Sequence, residues 1–224
     1  MAERTFGIYG ASGLGREVLE LARIIDKREN GRWGGFVFID DGDVPDVVSG
    51  AKVYKYDEAK DRFGAGLEVI VAIGEPAIRR KLYDKLKADG IGSPTLIHPD
   101  VYIPESTTVG KGVVIQPGCF ISCDLTIDDY VFMQPHANTG HDDHLMEGCM
   151  ISAFGNIGGL VTLGRYSYIG MSSAVKECVT IGDNSVVGMG SVVYKDVPEG
   201  VMVLGNPARP IGSTGDKRVF SGKH

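Results

Sequence analysis

Four ionisable side chains follow one another at His141, Asp142, Asp143 and His144. A histidine side chain ordinarily has a pKa near ~6.5, so an imidazole can accept a proton at neutral pH. A neighbouring carboxylate, from Asp142 or Asp143, can fix the imidazole tautomer and raise its basicity. The run therefore predicts a general base.

This run interrupts a six-residue repeat that extends from Ile103 to Pro198. A period of six fits neither an α-helix nor an ordinary hairpin sheet, but it is typical of a parallel β-helix, in which each short strand is one flat side of a coil. Three sides make a coil of about eighteen residues, so we expect about five coils. Every sixth residue is aliphatic or Met, with the exception of Thr139: Ile103, Val109, Ile115, Ile121, Ile127, Met133, Thr139, Leu145, Ile151, Ile157, Leu163, Ile169, Val175, Ile181, Val187 and Val193.

Asp143 stands four residues after Thr139, at a position where the other hexads carry an uncharged and mostly small residue. A charge inside a β-helix would be costly, so we expect this corner to be distorted or to open onto solvent. A local rule that is broken once within a consistent repeat indicates function. For this reason His141 is the preferred general base.

A glycine-rich turn near the start of the chain predicts a nucleotide-binding unit. The apolar stretch Phe6–Gly10 runs into Gly-Ala-Ser-Gly-Leu-Gly at 10–15, and a helical pattern follows. This order is typical of a βαβ unit, in which glycines let the backbone approach a phosphate at a helix N-terminus. The next strand, Gly35–Ile39, ends in Asp40 and Asp41, where such folds hold ribose hydroxyls. The alternative is a tight turn that only packs helix on strand.

A third strand, Val69–Ile73, leads through Gly74 into a helix that starts near Pro76 and stops at Gly90. The whole unit has about ninety residues, which leaves room for about one mononucleotide-binding half. We therefore divide the chain into a nucleotide-binding βαβ domain over residues 1–96, a β-helix over 97–212 and a loose polar tail over 213–224.

Composition bounds the function classes. The chain has 224 residues and a net charge of -6, and the mild acidity without a basic stripe gives no support for nucleic-acid binding. No apolar run approaches the ~18 residues of a membrane span. The start of the chain shows no signal-peptide pattern, so we expect a cytoplasmic protein. In that compartment we expect free thiols at Cys119, Cys123, Cys149 and Cys178.

A small βαβ unit fused to hexapeptide coils resembles the bacterial nucleotide-amino-sugar N-acetyltransferases of the hexapeptide-repeat family. The resemblance covers residues 4 to 211 and implies an α/β nucleotide-binding unit followed by an all-β left-handed parallel β-helix. It also implies a homotrimer, with acetyl-CoA in the groove between two neighbouring β-helices and no metal. Its markers are the glycine turn at 10–15, Asp40-Asp41, Ala72-Ile73-Gly74, Ile97-His98-Pro99, His141-Asp142 and Gly205-Asn206-Pro207-Ala208-Arg209.

The resemblance implies transfer of acetyl from acetyl-CoA to the 4-amino group of a nucleotide-linked 4-amino-4,6-dideoxy sugar. GDP-perosamine is favoured on overall likeness, and a UDP-linked amino sugar comes next. His141 would be the general base with Asp142 beside it, and the N–H of Gly159 would stabilise the oxyanion. By match of motif, the sugar-nucleotide-binding residues would be Ser12, Gly13, Leu14, Asp40, Asp41 and Gly74.

The acetyl-CoA side of the site is implied at six further positions. Met150 stands where family members often carry a second histidine near the acetyl group, and Met cannot donate that hydrogen bond. Met171, Met189 and Gly190 stand where the pantetheine arm would run, or else are ordinary outward residues of the coils. Lys195 and Arg209 would meet the CoA phosphates, or else are solvated charges.

Three alternatives stay open. His136 and His141, with His98 upstream, resemble the histidine set of gamma-class carbonic anhydrases, in which zinc keeps an open water position. O-acetylation, as in sialic-acid acetyltransferases of the same build, also needs a base. The last alternative is a non-enzymatic scaffold with a dead site, which would release no CoA with any amino sugar.

Overall fold

The computed structural model of the chain describes residues 4–215. The chain divides into two compact units. The first unit reaches to Gly74 and resumes over Ile78–Pro99, and the second contains Glu75–Ala77 and the chain from Asp100 onward. Among residues 4–215, no helix has the length and apolar character that a membrane crossing requires.

The first unit is built on a five-stranded sheet with the order β3-β4-β2-β1-β5. Its strands are β1 Thr5–Tyr9, β2 Gly35–Ile39, β3 Val47–Val48, β4 Ala51–Tyr54 and β5 Leu67–Val71. All pairs are parallel apart from the β3–β4 hairpin. The predicted βαβ start is confirmed, because β1 leads through the glycine turn into helix α1, Gly13–Arg28, whose buried face carries Val18, Leu19, Leu21, Ala22 and Ile25.

Two further helices complete this unit. Helix α2 spans Tyr56–Phe63 and is followed by a short 3-10 turn at Gly64–Gly66. Helix α3 spans Pro76–Ala88, close to the predicted range. Gly90, with φ of 69°, takes the left-handed conformation that commonly ends a helix. The β3–β4 hairpin and α2 were not predicted from the sequence. A short strand, Leu96–Ile97, comes before the end of the unit.

The second unit is a parallel β-helix with three faces of two-residue strands. Each strand pairs with the strand eighteen positions later, as Leu145 does with Leu163 and Ile151 with Ile169. The first face contains Val114–Ile115, Phe132–Met133, Met150–Ile151, Tyr168–Ile169 and Val186–Val187; the second contains Asn156–Ile157, Ala174–Val175 and Val192–Val193; the third contains Thr108–Val109, Thr126–Ile127, His144–Leu145, Thr162–Leu163 and Thr180–Ile181.

The hexad register predicted the inside of the coils. Every member of the column from Ile115 to Val193 is buried, and Ile103 and Val109 at the open end are half-buried. The glycine that often follows the column residue allows close stacking: a Cβ on Gly158 would lie 2.6 Å from the backbone nitrogen of Glu177 in the next coil. Isolated bridges Phe120–Asn138–Asn156 extend the second face toward its start.

The last coil is followed by strand Val201–Leu204, which pairs antiparallel with Arg209–Ser213. The prediction of a loose tail from residue 213 was therefore wrong at its start. Ser213 pairs with Val201, and Thr214 N–H donates to the Gly200 carbonyl at 2.9 Å. Residues 216–224 lie outside the described part of the chain.

Candidate active site

His141 lies in an exposed turn between the second and third faces of the β-helix. Its side chain is 58% exposed, and its Nδ1 lies 2.7 Å from Oδ2 of Asp142. Asp142 has a positive φ of 59°. With the carboxylate accepting Nδ1–H, the lone pair remains on Nε2, the nitrogen that can take a proton from a substrate. Of the two candidate orienting acids, Asp142 is the one in contact with the imidazole.

Gly159 lies one coil further along, directly against the His141 ring. A Cβ at Gly159 would stand 2.7 Å from Nε2 and 2.9 Å from Cε1 of His141. The two turns are also joined by the N–H of Leu160, which donates to the His141 carbonyl at 2.8 Å. Within residues 4–215, no acceptor bonds the N–H of Gly159, so this donor is available. The structure thus brings the predicted base and the predicted oxyanion donor together.

Of the two expectations for this corner, distortion or an opening onto solvent, the Asp143 carboxylate shows no opening, because Asp143 is 1% exposed. Its carboxylate instead accepts the N–H of Gly140 through Oδ2 and the N–H of Val161 through Oδ1, each at 2.9 Å. Burial outweighs these hydrogen bonds and raises the pKa of Asp143 to about 6. Thr139, also buried, donates its hydroxyl to the Phe120 carbonyl at 3.1 Å, which explains how a polar residue fits the aliphatic column.

The predicted pantetheine residues lie at the other edge of the second face. Met171 is 49% exposed and Met189 70% exposed, and Gly190 follows with a φ of 68°. From this corner the chain passes through strand Ala174–Val175 to the corner between the second and third faces, where His141 and Gly159 lie in the preceding coils. The two groups of candidates therefore flank one face.

Met150 is not part of this cluster. It lies in a strand of the first face, paired with Phe132 and Tyr168, and is 1% exposed. Its position half a coil after His141 puts it on the far side of the β-helix from that turn. The placement of Met150 beside the acetyl group therefore stays a prediction, which only a groove formed with a neighbouring β-helix could fulfil.

Lys195 and Arg209 line one cavity of about 780 Å³ at the C-terminal end of the coils. The rest of the lining is apolar, as at Val203 and Pro207, apart from Tyr194, Asn206 and the carboxylate of Asp196. Both cations are exposed. They line the same cavity although fourteen positions separate them in sequence, and a phosphate-bearing ligand would meet two positive charges and the Asp196 carboxylate there.

The other histidines have different surroundings. The Nε2 of His144 lies 3.1 Å from Oδ2 of Asp128, and the His136 ring stacks on Phe154 with centroids 5.0 Å apart. His98 lies in the first unit. Among the side chains of residues 4–215, no three from His, Cys, Asp and Glu form a group that could hold a metal ion.

In the first unit, the glycine turn presents the N-terminus of α1. Ser12 is the N-cap residue, and its side chain makes no cap hydrogen bond. Ser12 and Gly13 are exposed and Leu14 is half-buried, so the first N–H groups of the helix are available to an anion. Gly15 packs so tightly that a Cβ there would overlap the Gly10 carbonyl. Gly74, half-buried, ends this part of the unit.

Asp40 and Asp41 are both engaged within the protein. Asp40 accepts the N–H of Ala11 through Oδ2 and that of Gly42 through Oδ1, each at 2.9 Å. Asp40 therefore braces the glycine turn as well as standing at the predicted nucleoside position. This hydrogen bond to the glycine turn was not predicted from the sequence, although a carboxylate after the second strand of a βαβ unit is well placed to reach the turn after the first strand.

Asp41 belongs to a cluster that the sequence analysis missed. It accepts the Tyr9 hydroxyl and, at 3.0 Å, the N–H of Tyr56. Burial opposes its ionisation, but these two hydrogen bonds hold the pKa of Asp41 below its usual value. The Tyr9 and Tyr56 rings stack with centroids 5.6 Å apart, and Lys85 Nζ lies 3.6 Å from the Tyr56 centroid. Aromatic and cationic groups thus stand next to the predicted nucleoside site.

Two known families match parts of the chain. The PglD N-terminal domain matches residues 6–86, and the bacterial transferase hexapeptide (six repeats) matches residues 160–195. Together with the strand ladder, these matches confirm the predicted fold, a βαβ unit followed by a left-handed parallel β-helix.

Solved structures and a curated protein resemble nearly the whole chain. The acetyltransferase domain of PglB from Neisseria gonorrhoeae FA1090, in complex with acetyl coenzyme A, is 30% identical; the match covers 93% of this chain and 100% of that one, with a TM-score of 0.85. PerB from Caulobacter crescentus, in complex with CoA and GDP-perosamine, is 29% identical over 93% and 97% of the two chains, with a TM-score of 0.83. The GDP-perosamine N-acetyltransferase of Escherichia coli O157:H7 is 28% identical over 216 residues, 92% of this chain and 96% of that protein.

Proposed function

The chain belongs to the bacterial nucleotide-amino-sugar N-acetyltransferases of the hexapeptide-repeat family, and we propose that it acetylates the 4-amino group of a nucleotide-linked 4-amino-4,6-dideoxy sugar. The acetyl donor is acetyl-CoA. The observation that carries this proposal is the contact of His141 with Asp142 in its own exposed turn and with Gly159 in the turn one coil further along. A base, its orienting acid and a backbone donor are the groups that acyl transfer to an amine requires.

The chemistry follows from that arrangement. The amine nitrogen of the sugar attacks the thioester carbonyl while Nε2 of His141 takes a proton from that amine, and Asp142 stabilises the imidazolium that forms. The N–H of Gly159 donates to the oxygen that becomes negative in the tetrahedral intermediate. When the C–S bond breaks, the imidazolium returns the proton to the CoA sulfur, and the amide product remains.

The acetyl-CoA residues are proposed along the second face. Met171, Met189 and Gly190 form an exposed edge for the pantetheine arm. Lys195 and Arg209 line the C-terminal cavity and would pair with the CoA phosphates. Met150, in a strand of the first face, is proposed for the acetyl end of a groove that a neighbouring β-helix helps to form.

The sugar nucleotide is proposed to bind the first unit. The N–H groups at Ser12, Gly13 and Leu14 would meet the phosphates, and Asp40 and Asp41 would meet the nucleoside, with Gly74 in the neighbouring loop. GDP-perosamine is the favoured substrate, because two similar proteins are named for it or bind it. A UDP-linked amino sugar is the next choice.

The proposal is tested by an acetyl-CoA turnover screen. Purified protein is incubated with GDP- and UDP-linked 4-amino-4,6-dideoxy sugars, and with the matching 4-hydroxy sugars as controls for O-acetylation. We expect CoA release with an amino sugar, fastest with GDP-perosamine, and formation of an amide that resists mild alkaline hydrolysis. Turnover of the 4-hydroxy sugars alone would show O-acetylation, and release with none of them would reject the proposed activity.

Replacing Asp40 by alanine is expected to raise KM for the sugar nucleotide about tenfold to a hundredfold. The reason is the loss of a charge-assisted hydrogen bond, worth roughly 1.5–3 kcal/mol, together with the brace on the Ala11 N–H. KM for acetyl-CoA should stay within about twofold, because its proposed contacts lie in the second unit. Steady-state kinetics with each substrate varied in turn measures both constants.

The matched control is Asp43→Ala, which removes an exposed carboxylate from the same loop and should leave both Michaelis constants unchanged. An equal rise in both constants for Asp40→Ala would contradict the division of binding between the units.

The protein is expected to be a trimer. Large apolar side chains are exposed on the β-helix, among them Phe120 at 60%, Leu160 at 54% and Met189 at 70%, and a neighbouring chain would cover some of them. A second β-helix would also supply the other wall of an acetyl-CoA groove. Sedimentation velocity in an analytical ultracentrifuge should give a trimer mass, and a stable monomer with full activity would refute the expectation.

A further inference from the structure

The column that contains Asp143 is uncharged elsewhere. Thr107 and Leu125 precede Asp143 at this corner, Val161 and Val179 follow it, and all five side chains are buried. A buried carboxylate costs free energy that an apolar residue in the same column avoids. Packing and stability therefore give no reason for an acid at this corner, which directs attention to what its two oxygens hold.

The backbone ladder changes at this point. In the next two coils, Gly158 N–H donates to the Val175 carbonyl and Lys176 N–H to the Val193 carbonyl, both at 2.9 Å. The equivalent N–H, that of Gly140, donates to Oδ2 of Asp143 instead. At Gly140, the residue immediately before His141, the Asp143 carboxylate thus replaces the backbone carbonyl that accepts the equivalent N–H in the next two coils.

The second oxygen of the same carboxylate reaches the next coil. Oδ1 accepts the N–H of Val161, two residues beyond Gly159. One rigid group therefore holds the residue before His141 and the turn that contains Gly159. We infer that Asp143 is a positioning residue for acetyl transfer, which sets the His141 imidazole against the Gly159 backbone. This inference rests on the function proposed above.

The positioning depends on the charge state of Asp143. An ionised carboxylate accepts both N–H groups, whereas a protonated one converts an acceptor oxygen into a donor. Burial raises the pKa of this carboxyl to about 6. The charged groups that act on it are His141 and Asp142 on its own turn, while Leu125 and Val161 flank it in the coils on either side.

A raised pKa means that the folded protein holds this proton up to about pH 6. Positioning is therefore complete above that pH and is lost as the pH falls through it. His141 must also be unprotonated, so two groups have to lose a proton in the active wild-type enzyme. On the acid side, the slope of log(kcat/KM) against pH should therefore be one unit steeper for the wild type than for a variant that lacks the Asp143 carboxyl.

The test uses Asp143→Asn, with Thr107→Val as the matched control. Asn keeps the shape but offers one acceptor oxygen and turns an NH₂ group toward the other N–H. We expect kcat to fall about 10- to 100-fold, the effect of a small misplacement of reacting groups, with both KM values within about twofold. Thr107→Val removes the hydroxyl that accepts the Leu125 N–H at 3.4 Å at the same corner, and its kcat should match the wild type.

Two further measurements keep the result decisive. Asp143→Val carries the residue that the next two coils have in this column, and it should fold and show the same loss of kcat. Hydrogen exchange followed by mass spectrometry should show at least tenfold faster exchange in peptides that contain Gly140 and Val161, with other coils unchanged.

The outcomes separate this inference from the proposed function. Wild-type kcat, an unchanged acid limb and unchanged exchange in Asp143→Asn would overturn the role of Asp143 while the activity stands. A wild-type protein that acetylates no amino sugar would instead refute the proposed function. The exchange data would still decide whether the Asp143 carboxylate holds the two turns.

Discussion

Replacing His141 by asparagine is expected to lower turnover by about 10²–10⁴-fold, the usual contribution of general base catalysis. Asn is similar in size but cannot accept a proton at neutral pH. Both substrates should still bind, because the proposed nucleotide contacts lie in the first unit and the pantetheine and phosphate contacts lie at other corners of the coils. The loss should appear equally in kcat and in kcat/KM, as for an interaction made in the transition state.

The pH dependence separates a base from a binding residue. Activity of the His141→Asn variant should recover at high pH, where the sugar amine loses its proton without help. Steady-state rates from pH 6 to 9.5, with both substrates varied, measure this recovery. His144→Asn is the matched control, since His144 contacts Asp128 on the third face, and it should remain close to the wild type. A His141→Asn protein with normal turnover at pH 7, or with only a raised KM, would remove His141 from the mechanism.

The β-helix could be predicted in detail because aliphatic residues recur in the sequence with a constant period of six. Fixing the inward column by the six-residue spacing also fixes the coil length, and the pairing of Leu145 with Leu163 follows from it. Met150 is nine positions from His141, half a coil, so the spacing alone indicates that the two face opposite sides.

Asp143 shows where a sequence pattern reaches its limit. The repeat identified it as an exception, and the column identified Val161 as its neighbour in the next coil. The pattern does not reveal that Gly140 N–H leaves the strand ladder to bond this carboxylate. That choice depends on the balance between a ladder hydrogen bond and the cost of an unpaired buried charge, and spacing carries no information about it.

The nucleotide unit was less predictable for a different reason. The glycine turn and the Asp40-Asp41 pair have recognisable local patterns. The stack of Tyr9 on Tyr56 does not, because Tyr56 follows β4, a short strand without clear alternation that the parallel pairing with β2 places in the sheet. A contact made through such an element is visible only after the chain is folded.

Gly159→Ala is expected to lower kcat about 100-fold without unfolding the protein. The new Cβ would stand 2.7 Å from Nε2 of His141, closer than such atoms approach, so one of them must move. The Gly159 backbone is not in the left-handed conformation that resists a side chain, whereas the His141 ring is more than half exposed and can rotate. The imidazole therefore moves, and a displacement of about 1 Å costs about this much.

A double-mutant cycle distinguishes this displacement from a general disturbance of the turn. In the His141→Asn background no imidazole meets the new methyl group, so Gly159→Ala should cost less than about threefold there. The measurements are kcat for the wild type, both single variants and the double variant, with thermal unfolding to confirm equal stability. If the two losses multiply, the methyl group acts independently of His141, and the proposed contact between the base and the oxyanion donor is wrong. If the double variant is as slow as His141→Asn alone, the two residues act as one unit in the transfer step.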